Sequence, residues 1–187
     1  MARRRKIISW KQKQIFTILA PKDFEYKEIG NCVAKEPENL IGRTVDVSLF
    51  EILGDKAKQH MKIIFEITDV KGDKANTRFK RFEINPGYLR SKVKKGASKV
   101  DTTTELNLKD DTKIRMKITT IANQNISTPK EKDIRSKIFK IIESYRDLKL
   151  DEFVQQVIAS KVGSNIYKEV KKISPIKRVE VEEIKVI

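Results

Sequence analysis

The sequence predicts an α+β fold: an antiparallel, barrel-like β-sheet with three C-terminal helices packed on it and a final strand returning to the sheet. Three observations predict it. Runs of alternating apolar and polar residues recur at roughly ten-residue spacing up to residue 121. Apolar residues then recur three and four apart over 128–174, and alternation resumes over 178–187. Strands followed by helices, rather than interleaved with them, indicate α+β. At 187 residues the chain is long enough for a real core. It divides into a basic extension over 1–13 and one domain over 14–187, mainly β over 14–121, helical over 128–174 and closed by 178–187.

Residues 1–13 carry Arg3, Arg4, Arg5, Lys6, Lys11 and Lys13 and no acid. Such a segment repels itself and is expected to stay mobile until it meets a polyanion. Trp10 is expected to pack at the barrel mouth. Residues 14–20 form a strand with Phe16 and Ile18 on one face. Ala20-Pro21 ends it, because the residue before proline stays extended and proline donates no ladder bond. Phe24 and Tyr26 fall in a loop, and 28–35 form a second strand closed by Glu36-Pro37-Glu38. Over 43–49, Val45, Val47 and Leu49 alternate with Thr44, Asp46 and Ser48, a third strand; 50–58 read as a short turn or single helical turn around Gly54-Asp55.

Residues 61–84 carry the clearest hairpin. Ile63, Phe65 and Ile67 share one face, and Lys71-Gly72-Asp73-Lys74 supplies the turn. Phe79 and Phe82 cannot share a face of a regular strand, so a bulge is expected between them. Pro86-Gly87 suits a type II turn. Residues 88–95 then form a short helix with Leu89 and Val93 inward and Gly96 as its C-cap. A further hairpin spans 101–108 and 113–121, turning at Asp110-Asp111-Thr112.

Thr128-Pro129-Lys130-Glu131 reads as a capping box that opens the first long helix, whose face is Ile134, Ile138, Ile141, Ile142 and Tyr145. Asp151 starts a second helix, which Gly163 ends, and Ser164 caps a third. Ser174-Pro175 stops it. In the closing strand, Val179 and Val181 lose phase with Ile184 and Val186 at Glu182-Glu183.

Charge and composition bound the function. Lys+Arg number 41 against Asp+Glu 26, a net +15, which points to a polyanion, either nucleic acid or an acidic membrane. No apolar run approaches the roughly 18 residues of a membrane span. One cysteine and one histidine exclude an intrachain disulfide and any thiolate or imidazole metal cluster. Cys32 is expected to be a small buried hydrophobe, and His60 a surface or strand-edge residue. No phosphate-binding loop, dinucleotide fingerprint, nucleophile elbow or zinc-protease motif occurs. The expectation is therefore no enzyme, no cofactor, no metal and no small-molecule substrate.

What the sequence does hold is separated positive clusters, at 3–13, 78–81, 90–99 and Lys177-Arg178. The candidate RNA-binding residues are Arg3, Arg4, Arg5, Lys6, Lys11, Lys13, Arg43, Arg78, Lys80, Arg81, Arg90, Lys92, Lys94, Lys95 and Lys99. Nothing has the pattern of a recognition helix or an RNP aromatic pair, so phosphate contact rather than base reading is expected.

The order of several short pieces resembles a known family. They are Trp10, Ala20-Pro21 with Phe24, Ile29-Gly30, Ile41-Gly42-Arg43 with Val47-Ser48-Leu49, and Thr77-Arg78-Phe79. Then come Tyr88-Leu89-Arg90-Ser91, Ser98-Lys99-Val100-Asp101, Ile134-Arg135, and Ile173-Ser174-Pro175-Ile176 with Val179-Glu180-Val181. The series, over residues 10–187, resembles the small-ribosomal-subunit protein family shared by archaea and eukaryotes, eS-one (older name S-three-a-e), of archaeal type. The resemblance implies a structural constituent of the small subunit, cytoplasmic and ribosome-bound. Its implied partners are small-subunit rRNA and neighbouring ribosomal proteins, on the platform near the messenger RNA exit, with messenger RNA itself a further candidate. The alternative is a free RNA-binding protein, a chaperone or regulator, acting off the ribosome.

Overall fold

The computed structural model describes residues 13–187. Among these residues eight strands form one sheet: β1 (Gln14–Leu19), β2 (Glu28–Ala34), β3 (Thr44–Ser48), β4 (Met61–Lys71), β5 (Lys74–Ile84), β6 (Lys99–Asn107), β7 (Lys113–Ala122) and β8 (Ile176–Val186). Among the described residues five α-helices accompany them: α1 (Leu49–Leu53), α2 (Pro86–Lys92), α3 (Thr128–Glu143), α4 (Leu150–Ile158) and α5 (Lys161–Val170). The α+β class and the mainly antiparallel sheet agree with the sequence reading, as does the final strand that returns to the sheet.

β5 organises the sheet. One of its edges pairs with β4 along its length. Its other edge is divided: residues 74–76 pair with β1, and residues 81–83 pair with β8. β8 lies between β5 and β7, and so joins the β6–β7 hairpin to the rest. The sheet does not close into the expected barrel. Among the described residues β2, β3 and β6 each pair on one side only, because the fork at β5 brings no edge strand beside another. The β1–β5 pair is also parallel, whereas an antiparallel sheet was expected.

The expected bulge is present. Ile64 faces Arg81 and Phe65 faces Phe79, which leaves Lys80 as the extra residue. The insertion turns Phe79 and Phe82 to the same side, and both are buried. A second phase break falls in β8, where Lys117 faces Glu183 and Ile118 faces Val181, so Glu182 is the extra residue.

Helix boundaries differ from expectation in three places. Gly87 does not take the positive φ that a type II turn needs; instead Asn85 caps α2 by accepting from the Gly87 amide, and Pro86 begins the helix. α2 therefore ends at Lys92 with Val93 as its cap, and Gly96, at φ +83°, belongs to the turn beyond. The capping box at Thr128 does not form. Ser127 holds the cap position, and Glu131 reaches Arg135 one turn on. Gly163 does not end a helix but lies inside α5, and Ser164 follows it there; the break falls at Ala159-Ser160. Gly163 is there for contact, since a Cβ on it would stand 3.2 Å from the Val179 carbonyl oxygen of β8.

The helices cover one face of the sheet: α3 packs on β6 and α5, and α5 on β8 and α4. Ile134, Ile138 and Ile142 of α3, Phe153 and Val157 of α4, and Val162, Ile166 and Val170 of α5 join the main core. A smaller cluster of Phe16, Ile18, Ala34, Leu40, Ile67 and Ala75 fills the space by β1 and β2. Cys32 corrects another expectation. It is half-buried on the edge strand β2, with its Sγ 3.7 Å from Arg43 Nη1, because an edge strand has no neighbour to cover it.

The bulged Glu182 ties β8 to β7. Lys117 Nζ donates to one carboxylate oxygen and Thr119 Oγ1 to the other, both at 2.7 Å. Burial pushes this carboxyl up, but these donors and the Lys99 charge outweigh it and hold its pKa below the ordinary glutamate value. The same bond raises Lys117 above its usual value. A depressed carboxylate adds stability above its unfolded pKa and loses it as pH falls through the folded one. Glu182→Gln is therefore expected to cost about 1–3 kcal/mol at pH 7. It should also shrink the drop in Tm that the wild type shows on acidification. An unchanged Tm at pH 7 would contradict this.

Candidate nucleic-acid interface

The basic residues divide into two kinds once their neighbours are in place. The first kind is paired with carboxylates on its own or a neighbouring strand. Arg78 and Lys80 both reach Glu66 on β4, at 2.8 and 2.9 Å, and these bonds hold the Glu66 carboxyl below its ordinary range. Arg81 pairs with Glu83 and, at 3.1 Å, with Glu183 on β8. Lys99 meets Asp101 at 2.9 Å. These four remain partly exposed, but their charge is largely balanced before any partner arrives.

The second kind sits on and just after α2. Leu89 is buried and pins the helix to the core, while Tyr88 packs beside it. Arg90, Lys94 and Lys95 are exposed, and among the described residues no carboxylate pairs with any of them. Lys92 is half-buried, its Nζ 4.7 Å from the centre of the Tyr88 ring. β8 brings further cations to the same place. Lys177 Nζ donates to the Lys92 carbonyl at 3.4 Å, and Arg178 donates to the Tyr88 hydroxyl. Arg178 also meets Glu180 at 3.0 Å; burial nevertheless raises the Glu180 pKa against that pairing. The clusters at 90–99 and Lys177-Arg178, 85 residues apart at their Lys177–Lys92 contact, thus form one surface.

A groove of about 480 Å³ runs under this surface, lined by Pro86, Leu89, Arg90, Val93, Lys99 and Glu182. It places Lys99 beside Arg90. Arg43 is exposed near Cys32, away from any carboxylate partner among the described residues, and Lys13 is exposed just before β1. Arg3, Arg4, Arg5, Lys6, Lys11 and Trp10 lie outside the described residues.

One contact at this surface carried no signal in the sequence. The His60 and Tyr88 rings stack with centroids 3.7 Å apart and planes at 19°. Burial, then the charges of Arg178 and Lys92, push the His60 pKa below the ordinary histidine value. His60 closes the turn before β4 and Tyr88 lies on α2. The pairing of β4 with β5, which sets Met61 opposite Ile84, brings those segments together. His60 was expected at a surface or strand edge, and it is half-buried against an aromatic ring. Among the described residues no group of His, Cys, Asp and Glu side chains could hold a metal ion.

Known proteins resemble the chain throughout its length. It matches the Ribosomal S3Ae family over residues 1–187. It is 37% identical over 187 residues to the small ribosomal subunit protein eS1 of Methanobrevibacter smithii, covering all of this chain and 97% of that one. The protein of the same name from Halorubrum lacusprofundi is 35% identical, over 94% of this chain and 82% of the relative. That from Methanothermobacter thermautotrophicus is 33% identical, over 100% and 96%. With the family matched from end to end and archaeal relatives covered almost completely, the chain belongs to the Ribosomal S3Ae family.

Proposed function

We propose that the chain is a structural constituent of the small ribosomal subunit, cytoplasmic and ribosome-bound, that holds rRNA against the α2–β8 surface. The observation that carries this is the row of Arg90, Lys94 and Lys95, exposed, unpaired among the described residues and fixed on an ordered segment, in a chain whose relatives bear a small-subunit name. An ordered cation loses less conformational freedom on binding phosphate than a mobile one, so this surface contributes more per charge than a flexible arm. The four balanced cations Arg78, Lys80, Arg81 and Lys99, and the exposed Arg43, supply secondary contacts. The family is one of ribosomal proteins, and its role is structural rather than enzymatic. The finer reading puts the protein on the platform near the messenger RNA exit, touching neighbouring ribosomal proteins. It treats residues 1–13 as a basic extension that adds phosphate contacts to a domain over 14–187.

A sucrose gradient of cell lysate, probed for the protein, tests this. The protein should co-sediment with small subunits at moderate salt. A pool confined to the top of the gradient, binding single-stranded RNA without ribosomes, would overturn the ribosomal reading in favour of a free RNA-binding protein.

A further inference from the structure

The His60–Tyr88 stack is built more like a recognition surface than a core contact. The two rings line a notch of about 410 Å³ whose other walls are Lys56, Gln59 and Asn85. No aliphatic side chain lines it. The stack is fixed through both residues: the Asn85 amide donates to the His60 carbonyl at 2.8 Å. The Tyr88 hydroxyl is held by Arg178. These bonds hold both rings in place beside the notch.

The surroundings match one kind of planar group. Lys56, Lys92 and Arg178 supply positive charge beside the rings, where a phosphodiester backbone would run. Asn85 uses its Oδ1 to cap α2, which leaves its amide N–H groups, with those of Gln59, to meet the edge of a ring. Burial and the nearby cations push the His60 pKa down, which favours the uncharged ring, an aromatic face over a further cation.

Resting on the RNA-binding reading above, we propose that the His60–Tyr88 stack and its notch form a subsite for one unstacked nucleobase of single-stranded RNA. Stacking of a base on an aromatic ring within a positive groove is how single strands are held with little sequence preference. The subsite adds base contact to a surface that otherwise offers only phosphate contact, and it predicts that the α2 region engages a loop, bulge or splayed strand in preference to a continuous duplex.

Twelve-nucleotide RNA strands separate the two levels of the argument. Oligoadenylate and a sugar–phosphate strand of the same length lacking bases are titrated into the full chain at one fixed salt concentration, by fluorescence anisotropy. Oligoadenylate should bind roughly tenfold more tightly than the abasic strand. His60→Ala should remove most of that difference and leave abasic binding unchanged, while His60→Phe should keep it. The His60 ring protons should shift upfield in the NMR spectrum with oligoadenylate and not with the abasic strand. Equal binding of the two strands, a difference insensitive to His60→Ala, or a ring signal indifferent to the bases would each overturn the subsite and leave phosphate binding standing. Binding of neither strand would overturn the RNA-binding reading as well.

Discussion

Replacing Arg90, Lys94 and Lys95 together with Gln is expected to reduce the slope of log K against log salt for rRNA binding by roughly 2 to 3. Each cation that neutralises a phosphate releases condensed counterions, so the loss should be uniform across RNA sequences. Incorporation into small subunits at moderate salt should weaken in step. Stability should not. All three side chains are exposed and none pairs with a described carboxylate, so each change should cost under about 0.5 kcal/mol. Lys92 is left alone because it lies over the Tyr88 ring and would confound the result. The matched control, Arg78→Gln with Lys80→Gln, should behave in the opposite sense. It strips Glu66 of both partners, lowers Tm, and changes the salt slope less. A slope untouched by the triple change would remove α2 from the interface; a large fall in Tm would mean its cations are structural.

Phe65→Ala is expected to produce the largest loss of stability of any single change considered, about 3–5 kcal/mol. Phe65 is wholly buried at the middle of β4. Its ring meets Phe24 edge-on with centroids 5.5 Å apart, and its cross-strand neighbour is Phe79, the residue that the bulge at Lys80 turns inward. Truncation therefore opens a cavity where the loop after β1, the central hairpin and the helical layer meet, and rigid strands cannot collapse into it. For a chain of this size the corresponding fall in Tm is roughly 10 °C. Thermal melts of the two proteins at one pH decide it, and a fall of only a degree or two would show that the site relaxes around the smaller side chain. Phe65→Leu should recover most of the loss because it restores apolar volume.

Local pattern carried much of the fold into view. Alternation in residues 61–84 marked both strands of the central hairpin, and the mismatch of Phe79 with Phe82 marked the bulge, because burial leaves a side chain no choice of face. The return of the last strand and its break in phase at Glu182 were legible for the same reason. What stayed hidden depended on register. Glu66 lies twelve residues from Arg78, and only the pairing of β4 with β5 shows that it pairs with two cations. Gly163 has the look of a helix terminator until β8 is seen crossing beneath it. The parallel β1–β5 pair and the fork that keeps the sheet open leave no periodic trace. The candidate interface was legible as charge but not as geometry. The cluster at 90–99 stands out in the sequence, yet the stacking of His60 on Tyr88 comes from two segments 28 residues apart that carry no shared motif.

The position of β8 also sets an order of events in time. Among the described residues it is the one strand that links the β6–β7 hairpin to β5, and it follows both in the chain. While the chain is being made, the β4–β5 and β6–β7 hairpins can each form from neighbouring residues as they emerge. Each must then wait with an open edge, β5 and β7, until three helices and β8 have been synthesised. That late, long-range closure is the step expected to limit the rate of folding, and the waiting edges are where a nascent chain is most exposed to pairing with another.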